Sequence, residues 1–392
     1  MNDPLSDKDL SFLADRLLLE QGRLDPLELF LAAELLSYDN YEAWRLGRVP
    51  DLQGLLDLPP QEAADLLERA AVYARAQGLA ATTLEHRAWG GRDQTLRIGA
   101  HAGLIRGCST AFAPPADRHQ LDLFHDSTGL LLEEEIRQSL AERNTEAARE
   151  TVARLMKHDS RHRQLRGFLR LIQAIDETGS LNAKTRLREL EAVEPLAREL
   201  LGYRARDYLA PLWADLAESV AGLPFSPGAP RLHASFLWGR AGRWEAACQA
   251  VEAEPDWQRQ PVLLLIHAEA CWRTRQQAAA RRDWMWLCWD DPLEAEHALG
   301  SRELPDRRLS DLWSRFGDAE LGLETEDFPA WLLVEDSGAA AVVPPDAAPA
   351  DERGAGYRLL HRLVSGEDDI SLRRELADTH PDLLRLFLSH RD

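Results

Sequence analysis

The chain has 392 residues, 45% of them hydrophobic and 29% charged, with a formal net charge of -20. That length exceeds one ordinary core and predicts two or three domains or an elongated repeat array. The acidic balance disfavours a polyanionic ligand, so no direct nucleic-acid binding is expected.

The opening MNDPLSDKDLSFLADRL has no basic stretch followed by an apolar run, and reads as no signal peptide. No apolar segment approaches the roughly 18 residues of a membrane span, so no membrane partner is expected. Leu10, Leu13, Leu17 and Leu18 form a helical stripe over 5–20, with Ser6 placed to cap it. A second helix starts at 25–37 with Asp25 as cap and Pro26 in its first turn. A third opens on Pro60 and closes on Gly78. Between them Tyr38, Tyr41 and Trp44 are expected as core anchors. Residues 1–90 therefore read as a small N-terminal helical domain.

Residues 91–129 are rich in Gly, Pro, Ser and Asp and read as a loop-rich connector. Within it, TLRI and AGLI are expected as short strands, forming a hairpin. The connector also carries Gln120, Leu121, Asp122, Leu123 and Phe124, the pentapeptide QLDLF.

From 130 to 300 helical periodicity returns and repeats. Ala148 and Leu155 in one stretch match Ala280 and Leu287 in another, and Asp291-Pro292 closes the second unit. Residues 261–294 span one period of about 34 residues, with His267 and Cys271 where aromatic and glycine signals would stand. Weaker copies lie at 237–257 and 175–195. This pattern resembles the tetratricopeptide repeat family, in a degenerate form. The resemblance implies a mostly α fold, a helical-hairpin array with a protein-binding role. Seven tryptophans fall between 238 and 289; in such an array large aromatics fill the gaps between hairpins. The competing reading makes Trp272, Trp284, Trp286 and Trp289 a peptide groove. Trp286 and Trp289 share a helix face that Trp284 does not. Residues 301–392 read as a C-terminal helical cap with a flexible linker near 336–356 and Pro381 bending or restarting the last helix.

Signatures of catalysis are missing. The chain holds no GxxxxGK(S/T), no GxGxxG and no GxSxG. Cys108, Cys248, Cys271 and Cys288 are widely spaced with no CxxC pair, so neither a structural zinc site nor a disulfide framework is expected, and no cofactor. A reducing cytoplasm is the expected compartment. His158 and His162 stand four apart, but Asp159-Ser160 reads as a helix end, which leaves them as solvated surface residues. His119 and His125 flank QLDLF without ligand spacing. Glu133, Glu134 and Glu135 are expected in the first turns of a helix, facing its positive end.

QLDLF resembles the bacterial sliding-clamp-binding motif, QL(S/D)LF, at all five positions. The resemblance implies a contact with the DNA polymerase sliding clamp and no enzymatic activity. Leu123 and Phe124 would be the anchors, Gln120 the orienting hydrogen-bonder, and Leu121 and Asp122 secondary. The expected function is thus a non-catalytic interaction scaffold tethered to the clamp. The alternative is an adaptor or chaperone-like subunit that binds a peptide or helix in the Trp-rich groove, with QLDLF packed as core.

Overall fold

The computed structural model describes residues 5–90, 94–115, 127–177, 182–301, 304–319, 322–336, 348–367 and 369–390. Those residues are mostly α-helical, as the periodicity predicts, with one two-stranded sheet among them. The chain divides into two compact units, Met1–Val220 with Arg240–Arg243, and Ala221–Gly239 with Trp244–Asp392. The division falls inside the stretch read above as one repeat array. No helix among the described residues is long and apolar enough to cross a membrane.

The first unit opens with α1 (Asp7–Gln21), α2 (Pro26–Ala32), α3 (Tyr38–Arg45) and α4 (Pro60–Ala76). The Ser6 hydroxyl accepts from the Asp9 amide, and Gly22 ends α1 in the left-handed region at φ 70°. Asp25 caps α2 through the Leu27 amide, with Pro26 in the first turn. Tyr38, Tyr41 and Trp44 are buried, and their apolar faces join one core with α1, α2 and α4.

The connector departs from expectation. AGLI is not a strand but the start of α5 (Ala102–Cys108), and TLRI makes only an isolated bridge, at Thr95 with Arg87. His101 Nδ1 accepts from the Leu104 amide at 3.2 Å and so starts a helix. Leu104 and Cys108, one turn apart, are then buried together, and α5 packs on α4. The hairpin partners are instead β1 (Ala80–Thr83) and β2 (Thr110–Ala113), antiparallel with Ala81 opposite Phe112. β2 follows α5 directly, and that helix brings the chain back to pair with β1.

Behind this sheet, buried His86 donates its Nε2–H to the Cys108 carbonyl at 2.9 Å and lies 5.4 Å from the Trp44 ring. Burial lowers its pKa from the ordinary 6.5, more than the Cys108 carbonyl raises it. The unfolded chain therefore takes up a proton that the folded chain resists. His86 contributes stability above about pH 6.5 that is lost as pH falls through that value toward the lower folded one. Urea midpoints are expected to drop between about pH 7.5 and pH 5, and to drop less in His86→Gln.

The remaining helices of this unit are α6 (Ser127–Ala141), α7 (Thr145–His158), α8 (Leu165–Asp176), α9 (Ala183–Leu201) and α10 (Ala205–Val220). Successive members pack against each other, α6 on α7, α7 on α8, α8 on α9 and α9 on α10. Ala148 and Leu155 of the predicted repeat are fully buried in α7. Glu133, Glu134 and Glu135 do not face a helix start, because α6 begins at Ser127. They are held by cations instead: Glu133 by Arg137, Glu134 by Arg204 at 2.6 Å and Glu135 by Arg154 at 2.8 Å. A buried carboxylate, Glu42, accepts from Arg143 at 2.5 Å, and Arg243 bridges it to Asp39. Arg143 also donates to the Asp207 carbonyl at 3.0 Å and lies over the Trp89 ring.

The second unit comprises α11 (Ala234–Arg240, whose last residue is counted with the first unit), α12 (Trp244–Glu252), α13 (Pro261–Arg273), α14 (Gln277–Asp290), α15 (Pro292–Leu299), α16 (Arg307–Asp318), α17 (Phe328–Glu335), α18 (Ala355–Val364), α19 (Ile370–Thr379) and α20 (Pro381–Ser389). Pro381 restarts the chain as the first residue of α20. The 261–294 unit folds as the packed pair α13 and α14, in which Ala268, Ala270 and Ala280 are fully buried. Asp291 ends α14 and caps α15 through the Glu294 amide, with Pro292 in first position. Of the predicted linker, residues 337–347 lie outside the described residues.

Candidate functional site

Helices α12, α13 and α14 each bury one stripe. On α12 it is Ala247, Cys248 and Val251; on α13 Leu263, Leu264, His267, Ala268 and Cys271; on α14 Ala280, Asp283, Trp284, Leu287 and Cys288. The spacings of three and four are those of core-facing helices. His267 and Asp283 occupy positions in those stripes where apolar side chains would pack. Both are almost fully enclosed, at 2% and 3% exposure.

Buried polar groups need partners, and these find one another. The His267 Nδ1–H donates to Asp283 Oδ2 at 2.5 Å. Cys248 and Cys271 bring their sulfurs to 3.6 Å, and Cys271 Sγ lies 3.6 Å from both His267 ring nitrogens. Glu252, one turn after Cys248, places Oε1 3.4 Å from His267 Nε2 and 3.9 Å from Cys248 Sγ. The Trp257 ring covers the imidazole, 4.2 Å between centroids.

Electrostatics follow from this packing. The hydrogen bond from Cys271, and then His267, outweigh burial and bring the Cys248 thiol down to about 6. Burial opposes a charged His267, yet the Asp283 carboxylate and then Cys248 overcome it and hold the imidazole up at about 10. Cys271 is pushed up, first by its bond to Cys248 and then by burial. The arrangement thus favours negative charge on Cys248 and positive charge on His267, and disfavours charge on Cys271.

A thiol, an imidazole and a carboxylate in this order also match the roles of nucleophile, base and orienter. Cys248 is only 5% exposed and His267 2%, which closes the thiol to a bulky substrate. The donor set itself, two sulfurs, one imidazole and one carboxylate converging from two helices, is that of a transition-metal ligand sphere.

The residues singled out from sequence fare differently. Gln120, Leu121, Asp122, Leu123 and Phe124, with His119 and His125, lie outside the described residues. Trp284 and Trp289 are buried at 3% and 1%, inside the apolar core of the second unit, and do not line an open groove. Trp272 is half-buried and packs on Trp284, 5.9 Å between centroids. Trp286, on another face, joins Val251, Trp257 and Leu263 in a separate apolar cluster. α7 ends at His158, so His158 and His162 share no helix face. His158 is exposed, while His162 is half-buried against Glu133 at 2.8 Å, not solvated. The converging cysteines escaped the spacing argument, which looked for ligand pairs within one loop. Their signal was present as C-x3-E at 248–252 and H-x3-C at 267–271, each pair one helical turn apart. Compared with known proteins, the chain matches no family model, no curated protein and no solved structure.

Proposed function

We propose that this chain is a non-catalytic interaction scaffold of tetratricopeptide-like helix pairs, tethered to a DNA polymerase sliding clamp through Gln120 to Phe124. The observation that carries the scaffold reading is the run of sequence-adjacent helices packed on each other, α6 to α10 in one unit and α12 to α14 in the other. Stacked helix pairs present long side-chain surfaces and need no catalytic pocket. The tether rests on the pentapeptide QLDLF, which falls in sequence between the end of β2 and the start of α6. In an extended peptide Leu123 and Phe124 fill adjacent apolar pockets, and the Gln120 amide both donates and accepts. Burial of Trp284 and Trp289 weighs against the competing Trp-groove adaptor.

Calorimetric titration of the whole chain against a bacterial sliding clamp tests the tether. Native protein is expected to bind, and Leu123→Ala/Phe124→Ala to weaken binding by about 30-fold or more, as loss of about 2 kcal/mol of anchor contacts requires. Heat without a saturating isotherm for the native chain removes the clamp. A double variant that unfolds would assign the two side chains to core packing instead.

A further inference from the structure

We propose that Cys248, His267 and Cys271, with Glu252 or a water as the fourth donor, bind one zinc ion that joins α12 to α13, with Asp283 as the positioning residue for the imidazole. Zinc takes four ligands tetrahedrally, at about 2.3 Å to sulfur and about 2.0 Å to nitrogen or oxygen, so donor atoms around it stand about 3.3–3.8 Å apart. The four separations seen here are 3.6 Å for sulfur to sulfur, 3.6 Å for Cys271 to Nε2, 3.4 Å for Nε2 to Glu252 and 3.9 Å for Cys248 to Glu252. The two sulfurs and the imidazole all lie within 4.8 Å of one another. The two sulfurs and the imidazole are thus already gathered, and four of the six edges of a zinc tetrahedron have about the right length.

Two further features point the same way. Nδ1 is committed to Asp283, which leaves Nε2 as the ligand atom and reproduces the carboxylate–histidine–metal relay that orients ligating imidazoles. Two thiolates and an imidazole select a borderline or soft ion over calcium or magnesium. Glu252, with its side chain 56% exposed, is the outer corner and the ligand that water can replace.

The test uses the full chain, freed of any affinity tag and purified without chelator. Elemental analysis is expected to find one zinc per chain. Cobalt exchanged into the native protein is expected to give thiolate-to-cobalt charge transfer and the intense ligand-field bands of a tetrahedral site. Cys248→Ser/Cys271→Ser should lose the metal, and Asp283→Asn should keep it with about 10–100-fold weaker affinity in a chelator competition. If the cysteine variant does not fold, the cobalt spectrum of the native chain decides. No metal together with no cobalt–thiolate band in the fully reduced chain overturns the proposal. Stoichiometric zinc retained by a folded double variant overturns it too.

Discussion

Trp289→Ala is expected to destabilise the second unit by about 3–5 kcal/mol, the range for emptying a buried tryptophan site. The ring is 1% exposed and meets Tyr357 edge-on, 5.4 Å between centroids, and Trp286 at 6.2 Å. It therefore links α14 to α18, and its removal opens a void that neither helix fills without moving. Among the described residues the indole N–H has no hydrogen-bond partner in this buried site. An unsatisfied buried donor costs about 1–3 kcal/mol. Trp289→Phe removes that donor while keeping most of the apolar area, so it should cost clearly less than alanine. Urea unfolding with hydrogen-exchange mass spectrometry checks both, with lost protection expected in peptides of α14 and α18. An alanine variant within about 1 kcal/mol of native would mean that this part of the core is loosely packed.

Glu42→Ala carries a comparable effect for a different reason. Glu42 is 2% exposed and is the common acceptor of Arg143 and Arg243. Cutting one member out of a buried ionic group leaves uncompensated charge and costs about 3–5 kcal/mol, whereas removing both partners costs far less. The double variant Glu42→Met/Arg143→Met is therefore expected to be more stable than Glu42→Ala alone. Arg243 keeps Asp39 as a partner in both backgrounds. Denaturant midpoints of the native chain and these two variants decide it, and a double variant less stable than Glu42→Ala overturns the expectation.

Local chemistry made much of this architecture readable in advance. Ser6, Asp25, Pro26, Pro60 and Pro381 act within a turn of their own positions, so their roles as starts and caps follow from residue type alone. Tyr38, Tyr41 and Trp44 are inside because large aromatic area favours burial whatever covers it. Ala148 and Ala280 could be placed between helices because helical period and small size together imply close approach. AGLI was misread for the same reason that makes short apolar runs ambiguous: four residues fit a strand or a helix equally. The capping contact at His101 and the α4 surface that receives Leu104 decide between them.

The candidate centre shows the opposite case. Cys248, His267, Cys271 and Asp283 are spread over three helices, and nothing in their individual spacing says that they meet. Whether they converge depends on how far each helix is rotated about its axis and slid along its neighbour. Those quantities are set by how buried side chains of the three helices, among them Ala247, Ala268, Ala280 and Leu287, pack together. The same holds for Glu42 and Arg243, 201 residues apart. Helix identity and helix ends are short-range properties, written in turns of three and four residues. The meeting of distant donors is a long-range one, created only when side-chain packing selects a single register.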